Sequence, residues 1–585
     1  MSEKLNRTHA GIGWLASLQE AVSAMGEAVS RFPVTVGFLL LTAAQANAIV
    51  ADNTLFSSRL FGVVPQENQV FALIAAVLAS FAATLFAQSR RLSVWPCYIL
   101  PVLAGLAAFT VMWPPISART VEWAFLLSLA TFVPVAPFAG RGTGAAFWMF
   151  TARLAFAAAL AILAFVLFGG GVSAILASLT HLFGIDIPND LYGHIWVSIG
   201  LFVAPLFGLG QTPFVFNEEP GGREHDMMQH GMRALGDFAA VPLLIIYAVI
   251  LHLYTAKIVV TGEVPQGQIG WLVLTYGVCT VAVLLLTKPF LDTARAPTRF
   301  FVRFWPLILL VPLGLLFYAL WLRVSAFGWT VERYFLGLFG VVMLALVILQ
   351  TVRPLRGDIR VVAGLPVIAL LIGSFGPQGA VNWSISSQQA RFLHIVRGEP
   401  EDLQTKAEAL AVLRYLGGEN AELGVAPEGF APSGEESLYR QIAHAWNLDP
   451  DNAVQRGRQG FSYNSGTAVT VALDGFDVLV QNVQLYKEDT ASVSLSLPGG
   501  TRLRPVLKPN AVSLAPEAGA PILFRIDAAR IVELSSKVDQ SAVLRLEAEG
   551  RQIVLIPTYL YARSYPETVL ENFSGAILLR SRDWE

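Results

Sequence analysis

From Pro33 to Gly379 the chain is one apolar run after another, broken by short turns that mostly carry Arg or Lys. A helix needs about 20 mostly apolar residues to cross the hydrocarbon core of a bilayer. Segments of that kind lie near residues 33–51, 68–88, 94–113, 121–139, 145–169, 193–215, 237–258, 267–287, 303–322, 332–351 and 360–380. So many long apolar helices cannot be hidden inside a water-soluble domain of ordinary size. The expected fold is therefore mainly α: a polytopic membrane bundle of about 11 transmembrane helices. Gly169-Gly170-Gly171 is expected to end a span, leaving 170–191 as a re-entrant or interfacial piece.

The turns assign the two faces. With the N-terminus placed in the cytoplasm, the short loops divide Lys and Arg fifteen against five, and only Arg59, Arg119, Lys257, Arg323 and Arg333 fall on the far side. Positive charge concentrates on the cytoplasmic side of membrane proteins. An odd number of spans then puts the C-terminal part outside the cytoplasm. Residues 1–32 mix both charge signs and lack a cleavable signal. Leu15, Leu18, Val22, Met25 and Val29 recur at helical spacing, which predicts an amphipathic N-terminal helix on the cytoplasmic surface.

Beyond about residue 385 charge returns to ordinary density. Only 14% of the whole chain is charged, against roughly 25% in soluble domains, and the deficit lies in the first two-thirds. The predicted divisions are a transmembrane domain over 33–383, a helical connector over 384–460 and a β-rich extracytoplasmic domain over 461–585. The connector carries one helix over about 385–417 and a short one near 435–446. In the last part apolar residues alternate around 469–473, 478–485, 493–497, 522–526, 543–546 and 553–559. Alternation with regular turns predicts an antiparallel sheet or small sandwich, an α+β outer domain when taken with the connector.

A net charge of −2 gives no basic footprint for nucleic acid. The two cysteines, Cys97 and Cys279, read as small buried hydrophobes. No Walker, Rossmann, GxSxG or kinase motif appears, so no catalytic residue and no cofactor are expected. His225 and His230, in an acidic loop, are five residues apart, which does not stack them on one helical face; no metal is expected there.

Ionisable and amide groups inside apolar spans are the remaining candidates, because they are costly in hydrocarbon. Arg153 reads as an anion or lipid-headgroup contact, as half of a buried ion pair, or as a side chain snorkelling to the interface. His252 and Lys257 share a helix and read as a proton or anion pathway or, preferred, as a polar cluster at the membrane surface with Lys257 answering Glu263. Gln45 and Asn47 are placed to bond neighbouring helices. Glu122 suits the positive end of the helix it opens. Glu332 can pair with Arg323 or Arg333. The alternative is an outward site for an anionic group built from Arg323, Arg333 and Lys257.

Several stretches resemble one bacterial multi-pass membrane family. They are Leu253-Tyr254-Thr255-Ala256-Lys257-Ile258, Gly262-Glu263-Val264-Pro265-Gln266-Gly267 and Trp271-Leu272-Val273-Leu274, followed by Gly328-Trp329-Thr330-Val331-Glu332-Arg333-Tyr334-Phe335. The stretch 353–360, Ser374-Phe375-Gly376-Pro377 and Ser386-Ser387-Gln388-Gln389-Ala390-Arg391 add to them. The family is described only as domain of unknown function 4153. The resemblance, clearest over about 240–395, implies a bacterial cytoplasmic membrane and no established activity, substrate or site residue. Three function classes follow from the sequence: a non-enzymatic envelope protein handling a lipid, polymer or small solute; a sensor or scaffold whose outer domain docks a protein or polymer; and a membrane enzyme on a lipid-linked substrate. Membrane lipids are the expected partners.

Overall fold

The computed structural model describes residues 19, 22–56, 64–216, 231–261, 268–398, 400, 403–432, 436–450, 461–464, 475–486, 495–497, 500–508, 510–516, 520–527, 543–563 and 569–584. The chain divides into two compact units, Met1–Gln388 and Gln389–Glu585.

The first unit is helical. In order come α1 (Pro33–Val50), α2 (Gln66–Ser89), α3 (Val94–Val111), α4 (Glu122–Phe138), α5 (Gly144–Phe183) and α6 (Asn189–Gly210). They are followed by α7 (Gly231–Thr261), α8 (Gln268–Thr287), α9 (Ala296–Phe327), α10 (Val331–Leu349) and α11 (Ile359–Ser374). Each expected apolar segment falls on one of these helices. Among the described residues nine are long and apolar enough to cross a membrane, while α4 and α11 are shorter. Both short helices hold an interior proline, Pro134 and Pro366, and α4 tightens into a 3-10 turn at Ala136–Phe138. Outward-facing residues are apolar: Val259 and Val260 are 78% and 85% exposed. Faces of this kind on helix after helix suit lipid rather than water. Cys279 belongs to them, being exposed, and Cys97 is half-buried; neither is the buried hydrophobe expected.

The glycine triplet does not stop α5. The helix runs 40 residues through Gly169-Gly170-Gly171 and ends where Gly184 adopts φ 66°. Glycine's helix penalty of about 1 kcal/mol was measured in water; hydrocarbon offers the backbone no competing partner. Gly169 also lets the Trp196 ring of α6 lie close, with Trp196 Nε1 donating to Ser173 Oγ at 3.0 Å.

Small residues set the packing. The buried face of α2 is largely alanine, including Ala72, Ala75, Ala76, Ala79, Ala82, Ala83 and Ala87, and α1, α3 and α4 close around it. Without a hydrophobic drive between helices, such close backbone approach supplies the association energy. A second core, from α7 to α11, centres on Tyr276, Phe301, Leu309, Leu313 and Leu316.

Polar side chains sort into the two ends of this unit. At one end Arg31 donates to the carbonyls of Thr212 and Pro213, Arg90 to Ala139, and Arg141 to Ser89. Arg360 donates there to Arg141 and Gly142, and Lys288 to Gly357. Asp237, 4% exposed, accepts from Thr298 Oγ1 at 2.5 Å and from Arg295 N, so it caps α9 from outside that helix. At the other end Asn68 donates to Glu122, and Val121 N to Ser374 O. The helix directions alternate accordingly.

In the second unit, α12 (Ala380–Arg397), which begins before the division, leads to α13 (Leu403–Gly418) and α14 (Leu438–Ala445). The single helix expected over 385–417 is thus two, parted around Gly398 and Pro400. Arg391 pairs with Glu408 at 3.4 Å, and Trp446 Nε1 donates to Val425 O. A two-sheet antiparallel sandwich follows. One sheet is β1 (Phe461–Asn464), β8 (Arg551–Arg563), β9 (Val569–Leu579) and β2 (Val478–Tyr486), with β7 (Leu544–Ala548) also on β8. The other orders β3 (Leu495–Ser496), β4 (Arg502–Lys508), β5 (Ala511–Pro516) and β6 (Ile522–Arg525). Phe524, Phe573, Leu503, Ile553 and Ile577 lie in its core. The strand expected over 469–473 lies outside the described residues; β1, β4, β5 and β9 were not expected.

Candidate lipid-facing cleft

Helix α9 ends at Gly328, whose φ of 68° turns the chain into α10. The turn is fixed by backbone contacts. Arg333 Nη1 donates to the carbonyls of Gly328 at 2.6 Å and Phe327 at 3.2 Å, satisfying carbonyls that a helix end leaves open. Gln388 Nε2 donates to Phe327 O and Trp329 O, and Ser387 Oγ accepts from Trp329 N. The Tyr334 hydroxyl donates to Gln378 O at 2.7 Å.

Against this turn opens a cleft of about 1080 Å³. Leu274 and Val278 of α8, Ala319 and Leu320 of α9, and Leu336 and Phe339 of α10 form its sides. The short helices α4 and α11 contribute Trp123 and Leu127, and Pro366, Ala369 and Leu370. Trp123, Trp271 and Val278 are exposed, so the lining opens on the apolar exterior of the unit. The charged groups of the lining, Arg323, Glu332 and Arg333, come from the facing ends of α9 and α10. The volume reaches the upper end of ordinary ligand sites, about 300–1,000 Å³. Apolar walls with charge at one end suit an amphiphile.

Of the residues singled out in the sequence, the structure brings Arg323, Arg333 and Glu332 together; Lys257 is exposed on α7 and is not part of the lining. The Glu263 expected to face it lies outside the described residues. His252 Nδ1 sits 2.7 Å from Ala248 O of its own helix. Arg153 is half-buried beside Met149, Pro213 and Phe216, around a small space. Gln45 is fully buried and donates to Gln69 Oε1 at 2.6 Å and to Thr54 Oγ1. Asn47 Nδ2 donates to Ser198 Oγ, and its Oδ1 lies 2.8 Å from His194 Nδ1. His194 was not singled out, although a histidine opening an apolar span is itself a signal; nor was Gln69. No group of three or more His, Cys, Asp or Glu able to hold a metal occurs among the described residues. The loop 217–230, with His225 and His230, lies outside them.

The profile of a family described as "domain of unknown function (DUF4153)" matches residues 55–389. An uncharacterized protein of Pasteurella multocida (strain Pm70) is 25% identical over 191 residues, 31% of this chain and 30% of that protein. The match thus spans less than a third of the relative's length. No solved structure matches.

Proposed function

The chain belongs to the family of domain of unknown function 4153, and from that premise we propose that it is a non-enzymatic protein of the bacterial cytoplasmic membrane that holds a lipidic ligand in the cleft between α8, α9 and α10. The N-terminus faces the cytoplasm and residues 389–585 face outward. The cleft carries this reading. A pure anchor or scaffold calls for a dry bundle throughout, whereas here two short proline-bearing helices back an apolar space open to the side. Short or interrupted apolar segments are the usual pointers to membrane binding sites. The side opening suits a ligand arriving from the bilayer. The orientation is supported by the charge of the loops: Arg31, Arg90, Arg141, Lys288, Arg295 and Arg360 gather at one end of the unit, and Arg323 and Arg333 at the other.

Filling the cleft tests the proposal. The full chain is purified in mild detergent and its co-purifying lipid measured by mass spectrometry, beside an Ala319→Phe/Ala369→Phe variant. Loss of bound lipid with unchanged thermal unfolding is expected. Equal lipid in both proteins, with both folded, refutes the reading. A periplasm-dependent reporter fused behind Glu585 is expected to be active; activity of a cytoplasm-dependent reporter alone would reverse the orientation.

A further inference from the structure

We infer that the occupant of the cleft is a lipid with an anionic headgroup, its chains against α8–α10 and its headgroup beside Arg323; this rests on the lipid-holding reading above. The polar end of the lining carries two cations, Arg323 and Arg333, against one carboxylate, Glu332. Trp123 and Trp271 stand at the same end, where indole prefers the headgroup level. Helices α4, α8 and α10 begin at this end, at Glu122, Gln268 and Val331, while α9 and α11 end there, so the helix dipoles largely offset one another and the cationic balance rests on the arginines. The two arginines differ. Arg333 is held on the carbonyls of Phe327 and Gly328, so it fixes the turn and lends its charge. Arg323, exposed on the last turn of α9, is placed to reach a phosphate. Glu332, also exposed, opposes an anion and moderates the preference.

The test uses the full chain reconstituted in vesicles of equal parts phosphatidylglycerol and phosphatidylcholine, re-extracted in mild detergent. The ratio of the two retained lipids is read by mass spectrometry. The wild type is expected to retain phosphatidylglycerol in excess. Arg323→Gln lowers that excess about fivefold, the weight of one cation beside anionic headgroups. Arg323→Lys keeps most of it, and Glu332→Gln raises it. In the Ala319→Phe/Ala369→Phe variant the excess disappears together with the bound lipid. Equal retention by the wild type, or an unchanged ratio in folded Arg323→Gln, overturns the headgroup assignment and leaves the cleft reading standing if the filled variant still sheds lipid. Failure of the wild type to retain either lipid overturns both.

Discussion

Gln45 offers a measurement of what a buried amide contributes to this bundle. Its side chain makes three bonds: Nε2 to Gln69 Oε1 at 2.6 Å, Nε2 to Thr54 Oγ1 at 3.0 Å, and Oε1 from Leu55 N at 2.8 Å. Thr54 in turn donates to Gln69 Oε1, and Gln69 Nε2 donates to Val64 O. The lattice ties α1, α2 and residues 54–55 together. Gln45→Leu keeps the volume, so no cavity forms, but it deletes all three bonds. Side-chain hydrogen bonds between membrane helices average about 0.6 kcal/mol, with a ceiling near 1.7. The Leu55 N–H loses its acceptor, which adds about 1–3 kcal/mol where water cannot replace it. Offset by the extra apolar surface of Leu, a destabilisation of about 2 kcal/mol is expected. Gln69→Leu breaks the same lattice from the other side and costs a similar amount. Because each single change already strands the other amide, the double variant should fall about 1–2 kcal/mol short of the sum. Reversible unfolding of the full chain in mixed micelles, by detergent titration, gives the four free energies. Additivity to within about 0.5 kcal/mol would refute a cooperative lattice.

Two further outcomes follow from particular geometry. Gly575 on β9 faces Pro557 and Val483, and a Cβ there would fall on the Ile556 carbonyl oxygen and 2.9 Å from Pro557 Cα. Gly575→Ala is expected to cost about 2–3 kcal/mol by overpacking and to lower hydrogen-exchange protection of β2, β8 and β9 in the full chain; unchanged protection contradicts the crowding. Arg360, donating to Asp358 at 2.7 Å, holds that carboxyl below its ordinary range. A depressed folded value means the contribution is complete above the unfolded value of about 3.9 and fades as pH falls through the folded one. The stability gap between wild type and Asp358→Asn should therefore close on acidification below about pH 4; a gap that stays constant from pH 6 to 3 rejects it.

The helical part was legible because hydrocarbon thickness demands a long apolar run for each crossing and the turns carry the charge bias. The error at Gly169–Gly171 came from applying a propensity set by water to a backbone without it. The charges of the candidate site stood out as costly residues near span ends, and Arg323, Glu332 and Arg333 all line the cleft. The space beside them did not, because it depends on how α8, α9 and α10 pack beside α4 and α11. Pro134 and Pro366 lie inside the two apolar segments whose helices prove short, a local cue the segment lengths alone did not carry. In the sandwich, β4 is interrupted by Pro505, which argues against a strand, and β9 by Gly575. Both are retained because neighbouring strands pair with them.

The 40-residue α5 sets a geometric problem for its membrane. At 1.5 Å per residue it is a rod of about 60 Å, twice a hydrocarbon slab of about 30 Å. Even leaning at 40°, the extreme for such helices, it still rises about 46 Å. Its closing turns, where Ile175, Leu182 and Phe183 are exposed, therefore stand proud of the slab like a greasy mast. That excess is absorbed by the headgroup layer, by a bend in the helix or by local thickening of the bilayer.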